Sequence, residues 1–413
     1  MKVYVEGYGC ALNISDTEKI IGLLKKNRFA IVDKPSEADA VIINTCAVKL
    51  PTENRMIRRI RELISETNAK ILVFGCLTAI NPERIPKNRR VVVVGTKLSE
   101  LAKLLNLREK NVEFSPELEE VKFNPCIAIV PIARGCLGNC SYCAVKFARG
   151  KLQSYAVDSI VRKIRKELKK SREVWLTAED TACYGFDIGT NLAELLKKIL
   201  KIKGDYRIRI GMMNVNNLKL FLDEFLDVFE DERIYKFLHL PVQSGSNRIL
   251  KLMNRNYTAN EFVEVVERIK KKFPEITLST DVIVGFPTET EEDFKKTVAL
   301  LKKIRATKVN ISRYGVRPNT EAAKMEQIIE RTKKERSRKL TKLCRELAFK
   351  ENKKMVGRIE KILISAKGRD CLIGRTKNYK QVIVKENCKF CEFAKVKIVE
   401  AKPYYLIGKI VNE

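Results

Sequence analysis

Apolar residues in the first quarter of the chain fall into short unbroken blocks, separated by segments with helical spacing. KVYVEG from Lys2, AVII from Ala40, KILVFG from Lys70 and RVVVVG from Arg90 have the length and character of buried parallel strands. Between them, SDTEKIIGLLKK opens on a Ser/Asp cap, and PTENRMIRRIRELIS repeats its apolar positions every three or four residues, so each predicts an amphipathic helix. Strand and helix in alternation predict a doubly wound α/β unit over residues 1–122. LREKNVEFSPELEEVKFNP then loses periodicity and reads as a linker or hairpin.

A second series follows. CIAIVPIAR, EVWLTAEDT, YRIRIGMMN, FLHLPVQSG, STDVIVGFP and KVNISRYG read as strands with helices between them. Six such units predict a partial (β/α)6 barrel over residues 123–345, with its active site at the strand C-termini. RTKKERSRKLTKLCRELAFKENKK closes it as a basic helix. From about residue 346 to 413 the pattern alternates, predicting a small antiparallel β-barrel of OB-like size.

Composition changes the picture in two places. The formal net charge is +30, and the segment from Glu330 to Glu413 holds 24 Lys and Arg against 10 Asp and Glu. A surface of paired charges, as in thermophile proteins, needs both signs, so the excess points to a polyanionic partner such as nucleic acid. No apolar run approaches a membrane span, and the N-terminus opens directly as a strand rather than as a signal or transit sequence. The expected setting is therefore cytoplasmic.

The second change is cysteine usage. Twelve cysteines in such a chain argue for metal or redox chemistry before disulfides. Cys136, Cys140 and Cys143 lie in ARGCLGNCSYCAVKFARG, with Gly135 and Gly138 allowing the loop to wrap closely. Three thiolates on a four-iron cluster leave one iron open for a substrate or cofactor. The competing reading is zinc with Cys126 as fourth ligand, but paired knuckles are absent and the single histidine, His239, is far away in sequence. Cys10, Cys46 and Cys76 each close one of the first three strands, and open parallel sheets gather ligands at that edge. Each of these alone would pass as a small buried hydrophobe; three at consecutive strand ends call for a shared role.

These motifs resemble those of the radical-SAM methylthiotransferases. The cysteine loop is similar to that family's radical-SAM motif, and GCALNISDTE, INTCAV and GCLTAINPE are similar to its N-terminal cysteine motifs. LPVQSGSNRILKLMNRNYT and DVIVGFPTETEEDF resemble its core motifs, and the C-terminal barrel resembles a TRAM domain, an RNA-binding appendage. The resemblance implies two [4Fe-4S] clusters. One, on Cys136, Cys140 and Cys143, would bind S-adenosylmethionine and yield a 5′-deoxyadenosyl radical; the other, on Cys10, Cys46 and Cys76, would carry the sulfur to be inserted. It also implies an electron donor such as a flavodoxin or ferredoxin, and a sulfur source.

Other residues follow from the same resemblance. Glu179 and Asp180 would hold the methionine amine, with a loop cap as the alternative. Gln243 and Ser244 would lie near the ribose, and Gly285 would let backbone approach adenine. Asp281, standing where the looser superfamily pattern has glycine, would serve the substrate. Arg149 would meet a carboxylate or phosphate, or else form a structural ion pair. His239 reads as a satisfied strand residue. Cys388 and Cys391 form a CxxC without a second pair, so a disulfide or plain burial is expected; Cys371 lies near them, and Cys126, Cys183 and Cys344 have no assigned role. Tyr379, Phe390, Tyr404 and Tyr405 are candidates for base stacking or for barrel core.

Three substrates divide that family: a tRNA adenosine carrying isopentenyl, one carrying threonylcarbamoyl, and a ribosomal-protein aspartate. The basic C-terminal fifth favours tRNA, and similarity to the archaeal–eukaryotic branch implies N6-threonylcarbamoyladenosine beside the anticodon. A non-catalytic RNA-binding protein with structural clusters is the reading from another class.

Overall fold

The N-terminal blocks pair as expected and gain one member. In this computed structural model, which describes residues 1–411, β1 (Lys2–Gly7), β2 (Ala30–Ile31), β3 (Ala40–Thr45), β4 (Lys70–Gly75) and β5 (Val91–Gly95) form a parallel sheet in the order β2-β1-β3-β4-β5. β2 spans two residues, too short for any pattern to mark it. Every residue of β3 is buried, as the central strand of a doubly covered sheet requires. α2 (Leu50–Glu66) lays Met56, Ile57, Ile60 and Leu63 on the sheet at helical spacing.

α1 (Ala11–Lys26) departs from expectation. It starts four residues before the Ser/Asp pair, with Cys10 at its N-cap. Ser15 and Asp16 are therefore interior to the helix, and both are buried. The reason is tertiary: α1 is wedged between the sheet and the central unit, so polar residues that looked like a cap lie in an interface. The segment from Leu107 to Pro125 is neither strand nor hairpin; it runs along α1, with the Val121 amide donating to the Glu18 carbonyl at 3.0 Å.

The central unit is the expected partial barrel. β6 (Ile127–Pro131), β9 (Glu173–Thr177), β10 (Arg207–Ile210), β11 (Phe237–His239), β12 (Thr277–Val284) and β13 (Lys308–Arg313) are parallel. Bridges at Ile208/Ile234 and Met212/His239 join β10 to β11, giving one curved array that is open between β6 and β13. Alternate residues (Val130, Leu176, Ile210, Leu238, Val284) pack under the helices, so the intervening ones face the lumen. β7 (Ala133–Arg134) and β8 (Gln153–Ser154) form a two-residue antiparallel clamp outside this array.

The N-terminal unit bridges the opening. Ala11 and Ile14 of α1 pack with Ile127 and Ile129 of β6, while Leu50 sits against Gly315 just beyond β13. Glu53, fully buried, ion-pairs with Arg84 of its own unit and with Arg317 of the central one.

The basic helix spans Glu330–Lys353, so a boundary at residues 345 and 346 cuts through an intact helix. After it β14 (Ile359–Lys367), β15 (Leu372–Arg375), β16 (Gln381–Val384), β17 (Phe393–Ala401) and β18 (Leu406–Ile410) close a barrel. Closure uses a parallel pair, β16 with β18, so the barrel is not wholly antiparallel. Residues 412 and 413, the end of the expected third domain, lie outside the described residues.

This small barrel is docked on the floor of the large one. Cys391 is disulfide-bonded to Cys126, not to its CxxC partner Cys388. Tyr379, a candidate for base stacking or for core, takes the core role and plugs the floor, its ring 4.8 Å from Tyr235 and 4.9 Å from Phe237. Phe390 is likewise packed inside, and of the four aromatics Tyr404 is the most exposed, at 61%.

The α1 interface carries a pH signature. Glu18 is 2% exposed; burial, aided by the neighbouring Glu120, pushes its carboxyl up to about 7, against the Phe123 amide that donates to it at 2.9 Å. Below the ordinary carboxylate range folded and unfolded chains both hold this proton. Between about pH 4.5 and pH 7 only the folded chain does, so stability falls as pH rises through that window. The expected loss is on the order of 3 kcal/mol, at about 1.4 kcal/mol per pKa unit. Chemical denaturation across pH should show this slope in the wild type and a flatter one in Glu18→Gln; equal slopes would refute it.

Candidate active site

Sheet order explains how three distant cysteines meet. β1, β3 and β4 are adjacent, with Gly7 opposite Asn44 and Thr45 opposite Gly75, so the chain leaves all three at one edge. Cys10 follows β1 at the start of α1, Cys46 follows β3, and Cys76 opens α3 (Cys76–Ile80) after β4. Gly9, at φ +115°, allows the approach: a Cβ there would stand 2.7 Å from that of Cys46 and 3.0 Å from its sulfur. Cys10 is exposed, whereas Cys46 and Cys76 are buried.

A polar frame fixes this edge. Asn13 donates to the carbonyls of Tyr8 at 2.7 Å and Thr45 at 2.9 Å; Asn44 donates to Asn13 O and Thr17 Oγ1, both at 3.0 Å. The Thr45 hydroxyl donates to Phe74 O at 2.7 Å and accepts from the Leu77 amide at 3.3 Å. Burial pushes the Cys76 thiol up to about 11, partly offset by the Arg149 charge.

The second cysteine loop is pinched at its base by the β7/β8 clamp. Gly135, at φ +73°, is required there because any side chain would collide with the Lys151 carbonyl. Cys136 and Cys140 turn their sulfurs toward one point: a Cβ on Gly138 would lie 3.2 Å from the first and 3.8 Å from the second. Donors surround the sulfurs: the Gly138 amide is 3.2 Å from Cys136 Sγ, and Arg255 Nη1 is 3.5 Å from Cys140 Sγ. The loop is anchored from across the barrel mouth, Ser141 Oγ donating to Leu252 O at 2.7 Å and Asn254 donating to Asn139 O at 2.7 Å. Burial raises the thiols to about 12 at Cys136 and about 11 at Cys143, so the thiolates need a metal to form.

This donor set fits an iron–sulfur cluster. N–H groups aimed at sulfur suit thiolate, and each cysteine would ligate a different iron. Among the described residues no three Cys, His, Asp or Glu side chains are drawn together to grip one ion. The zinc alternative lacks its fourth ligand, because Cys126 is bonded to Cys391 and His239 to Asp281.

The two cysteine loops are bolted together by one buried cluster. Arg149, following the second loop, ion-pairs with Asp16 at 2.8 Å, donates to Asn13, and lies 3.5 Å from Glu179. Arg134, preceding that loop, takes the other Asp16 oxygen. Arg149 is therefore engaged internally, the ion-pair alternative, with no face left for a substrate anion. Although burial acts to raise it, the two guanidiniums hold the Asp16 carboxyl below the usual range.

The remaining expected residues divide. Glu179 Oε2 and Gln243 Oε1, in the segments that follow β9 and β11, are buried without a hydrogen-bond partner. An unpaired buried acceptor costs about 1–3 kcal/mol, so each calls for a donor. Asp180 takes the loop-cap alternative, accepting from Ala182 N, Asn214 N and Asn217 Nδ2 at 3.0, 2.9 and 2.7 Å. The Ser244 hydroxyl is turned inward to Ser246 N and Thr297. Gly285 faces the Lys333 stem of the basic helix, not an open cleft.

Asp281 faces the lumen, accepting from Asn310 Nδ2 at 2.6 Å and standing 3.0 Å from His239 Nε2. Burial acts to raise its carboxyl, but His239, Asn310 and the Lys49 charge outweigh it and hold it below the usual range. Sequence reasoning passed over Asp16, Asn13, Asn44, Arg134, Arg255 and Lys49. Arg255 and Asp16 sit inside motifs read for their resemblance, but nothing in local spacing marks which charge crosses between units.

Comparison with known proteins agrees with this arrangement. Residues 130–301 match the Radical SAM superfamily, 2–95 the uncharacterized protein family UPF0004, and 353–411 the TRAM domain. The structure resembles a radical S-adenosylmethionine methyltransferase, TsrM, from Kitasatospora setae, with a TM-score of 0.55 at 13% identity, over 78% of this chain and 73% of that one. At that identity the likeness shows the fold. Two archaeal proteins named as threonylcarbamoyladenosine tRNA methylthiotransferases, from Pyrococcus horikoshii and Methanocaldococcus jannaschii, are each 43% identical over the whole of this chain and 100% and 97% of their own lengths. The Homo sapiens protein of that name is 33% identical over all of this chain and 74% of its own. The chain belongs to the threonylcarbamoyladenosine tRNA methylthiotransferase family.

Proposed function

We propose that this chain inserts a methylthio group at C2 of N6-threonylcarbamoyladenosine next to the anticodon of tRNA. The observation that carries the reading is the pairing of two three-cysteine sets across one buried ion cluster, in a chain similar throughout to relatives of that name. Cys136, Cys140 and Cys143 would hold a four-iron cluster with one iron open to S-adenosylmethionine, and Cys10, Cys46 and Cys76 a second. Bound there, these groups supply the radical and the sulfur, chemistry that no side chain can perform on an unactivated C–H bond.

The chain's own residues do the positioning. Glu179 Oε2 offers its vacant acceptor to the methionine ammonium, and Gln243 Oε1 to a ribose hydroxyl. Arg255 and the loop amides stabilise thiolate, and Arg149 with Asp16 fixes the separation between the cysteine sets. Asp281, His239 and Asn310 form a polar wall inside the lumen that a nucleobase edge would meet.

RNA contact falls to the C-terminal fifth, the RNA-binding unit proposed for residues 346–413, and to the helix before it. Lys334, Arg338, Lys342 and Arg345 lie along one exposed face of the basic helix, without ion pairs among the described residues. Lys397 and Lys409 sit opposite each other on β17 and β18. Such charges neutralise phosphates and supply most RNA affinity. The setting is cytoplasmic, with a flavodoxin or ferredoxin as electron donor and a separate sulfur source; no helix of the described residues is long and apolar enough to cross a membrane.

Nucleoside mass spectrometry of tRNA should show 2-methylthio-N6-threonylcarbamoyladenosine in cells carrying the gene and only the unthiolated nucleoside in a deletion strain. An unchanged profile would overturn the substrate. After anaerobic reconstitution the chain should hold about eight irons, and Cys136→Ala about four. That variant should also make no 5′-deoxyadenosine on reduction; if it still does, the radical assignment is wrong.

The ion cluster makes its own prediction. Asp16→Ala leaves two buried guanidiniums without their shared carboxylate, and should cost about 3–5 kcal/mol in denaturant unfolding. A loss within 0.5 kcal/mol of wild type would show that the cluster does not hold the units together.

A further inference from the structure

The substrate just proposed differs from ordinary adenosine by a tail ending in a carboxylate, and that anion needs a cation at the barrel mouth. The arginines there are already engaged. Arg149 and Arg134 hold Asp16, Arg317 holds Glu53, and Arg255 holds Cys140 together with the Pro241 carbonyl, at 2.9 Å. Arg209 lies at the floor between the rings of Trp175, Phe237 and Tyr379. Lys49, Lys308 and Arg55 are exposed cations of this region that make no hydrogen bond or ion pair among the described residues; Lys308 stands at the start of β13, the floor end, and Arg55 lies over the Tyr8 ring, which leaves Lys49 at the mouth.

Its setting is unusual for a surface lysine. It stands in the three-residue link between Cys46 and α2, flanked by Val48 at 45% and Leu50 at 38% exposure. Leu50 rests on Gly315, where a Cβ would be 3.1 Å away, so this link overhangs the end of β13; next to it Val316 is also 45% exposed. Lys49 thus leaves the chain from an apolar lip that borders the end of β13, and its charge helps to hold the Asp281 carboxyl below the usual range. The same link begins at Cys46, a member of the sulfur-side cysteine set.

From this arrangement we infer that Lys49 is the specificity-determining residue that receives the carboxylate of the threonylcarbamoyl tail, with Asp281 opposite it accepting an N–H of the same substrate. The inference rests on the function proposed above and deepens it. Low local dielectric strengthens an ion pair formed in an apolar lip, and the bare adenosine offers Lys49 no partner. Because Lys49 lies three residues from Cys46, gripping the tail also sets the purine relative to that cysteine edge. A substrate lacking the carboxylate loses both affinity and placement.

Binding to the reconstituted protein reads this directly, without turnover. The probes are three anticodon stem-loops: one with threonylcarbamoyladenosine, one with its carboxylate methyl-esterified, and one with plain adenosine. The wild type should bind the first about tenfold to a hundredfold more tightly than the other two. Lys49→Ala should erase that preference while leaving the affinity for plain adenosine within about twofold, and Lys49→Arg should restore it. In turnover, Lys49→Ala should raise KM for the modified RNA more than it lowers kcat. If Lys49→Ala keeps the full preference, or weakens all three RNAs equally as a phosphate contact would, the inference is wrong while the proposed function stands. If the wild type itself neither prefers nor methylthiolates the modified RNA, the proposed function is what fails.

Discussion

A single carboxylate in α1 sets the geometry on which everything else depends. Asp16 sits less than two turns after Cys10 and receives Arg134 and Arg149, one from each side of the other cysteine loop. Removing three charges from water costs several kcal/mol per ion, and only close pairing repays it. The pairing therefore works only when the two units dock in one way. A neutral interface of similar shape would tolerate sliding; this one does not, because displacement strands a buried guanidinium. Glu53 with Arg317 repeats the device at the other edge of the opening, so the N-terminal unit is pinned at both ends of the gap it bridges.

Such pinning matters because the chemistry attributed to the site has two origins and one destination. The two sulfur sets belong to different folding units, and neither unit alone presents both. What the central unit leaves open is visible as unsatisfied groups: Glu179 Oε2 and Gln243 Oε1 are buried acceptors without donors. Asp180, one residue from Glu179, shows the contrast, with three donors on its carboxylate. Neighbours in sequence thus divide into one that shapes the turn and one whose acceptor is left unpaired.

Much of this was legible in the sequence, and the rest was hidden for a definable reason. Strand blocks, the order of units and the convergence of Cys10, Cys46 and Cys76 at one sheet edge follow from local pattern and the topology of parallel sheets. What failed was anything decided by the packing of one unit on another. SDTE has the composition of a helix start, yet tertiary wedging carried α1 past it and turned Asp16 into an interface charge. Arg149 offered two readings that differ only in whether an acidic residue more than a hundred positions away comes close. The CxxC suggested a local disulfide, but Cys391 found Cys126 at a sequence separation of 265. Tyr379 was open between base stacking and core; it is core, but its partners, Tyr235 and Phe237, lie on the floor of another barrel.

The docking of the small barrel gives the basic helix a particular meaning. Lys333, near its start, packs on Gly285 at the C-terminal end of β12, and Asn352, near its end, donates to Lys402 O and Pro403 O of the small barrel. Its 24 residues therefore span about 36 Å, from the mouth of the large barrel to the RNA-binding unit beneath it. The disulfide, the Tyr379 plug and the 2.7 Å Arg358–Glu275 ion pair hold the two barrels in fixed relation. An RNA held at the small barrel thus cannot bring its target base to the mouth by swinging that unit. It must instead cross the height of the large barrel, and the exposed row from Lys334 to Arg345 lies along that path. On the function proposed above, charge on the helix follows from rigid docking: with no flexible tether, a rail of cations would join the small barrel, as the unit that grips RNA, to the mouth of the large one.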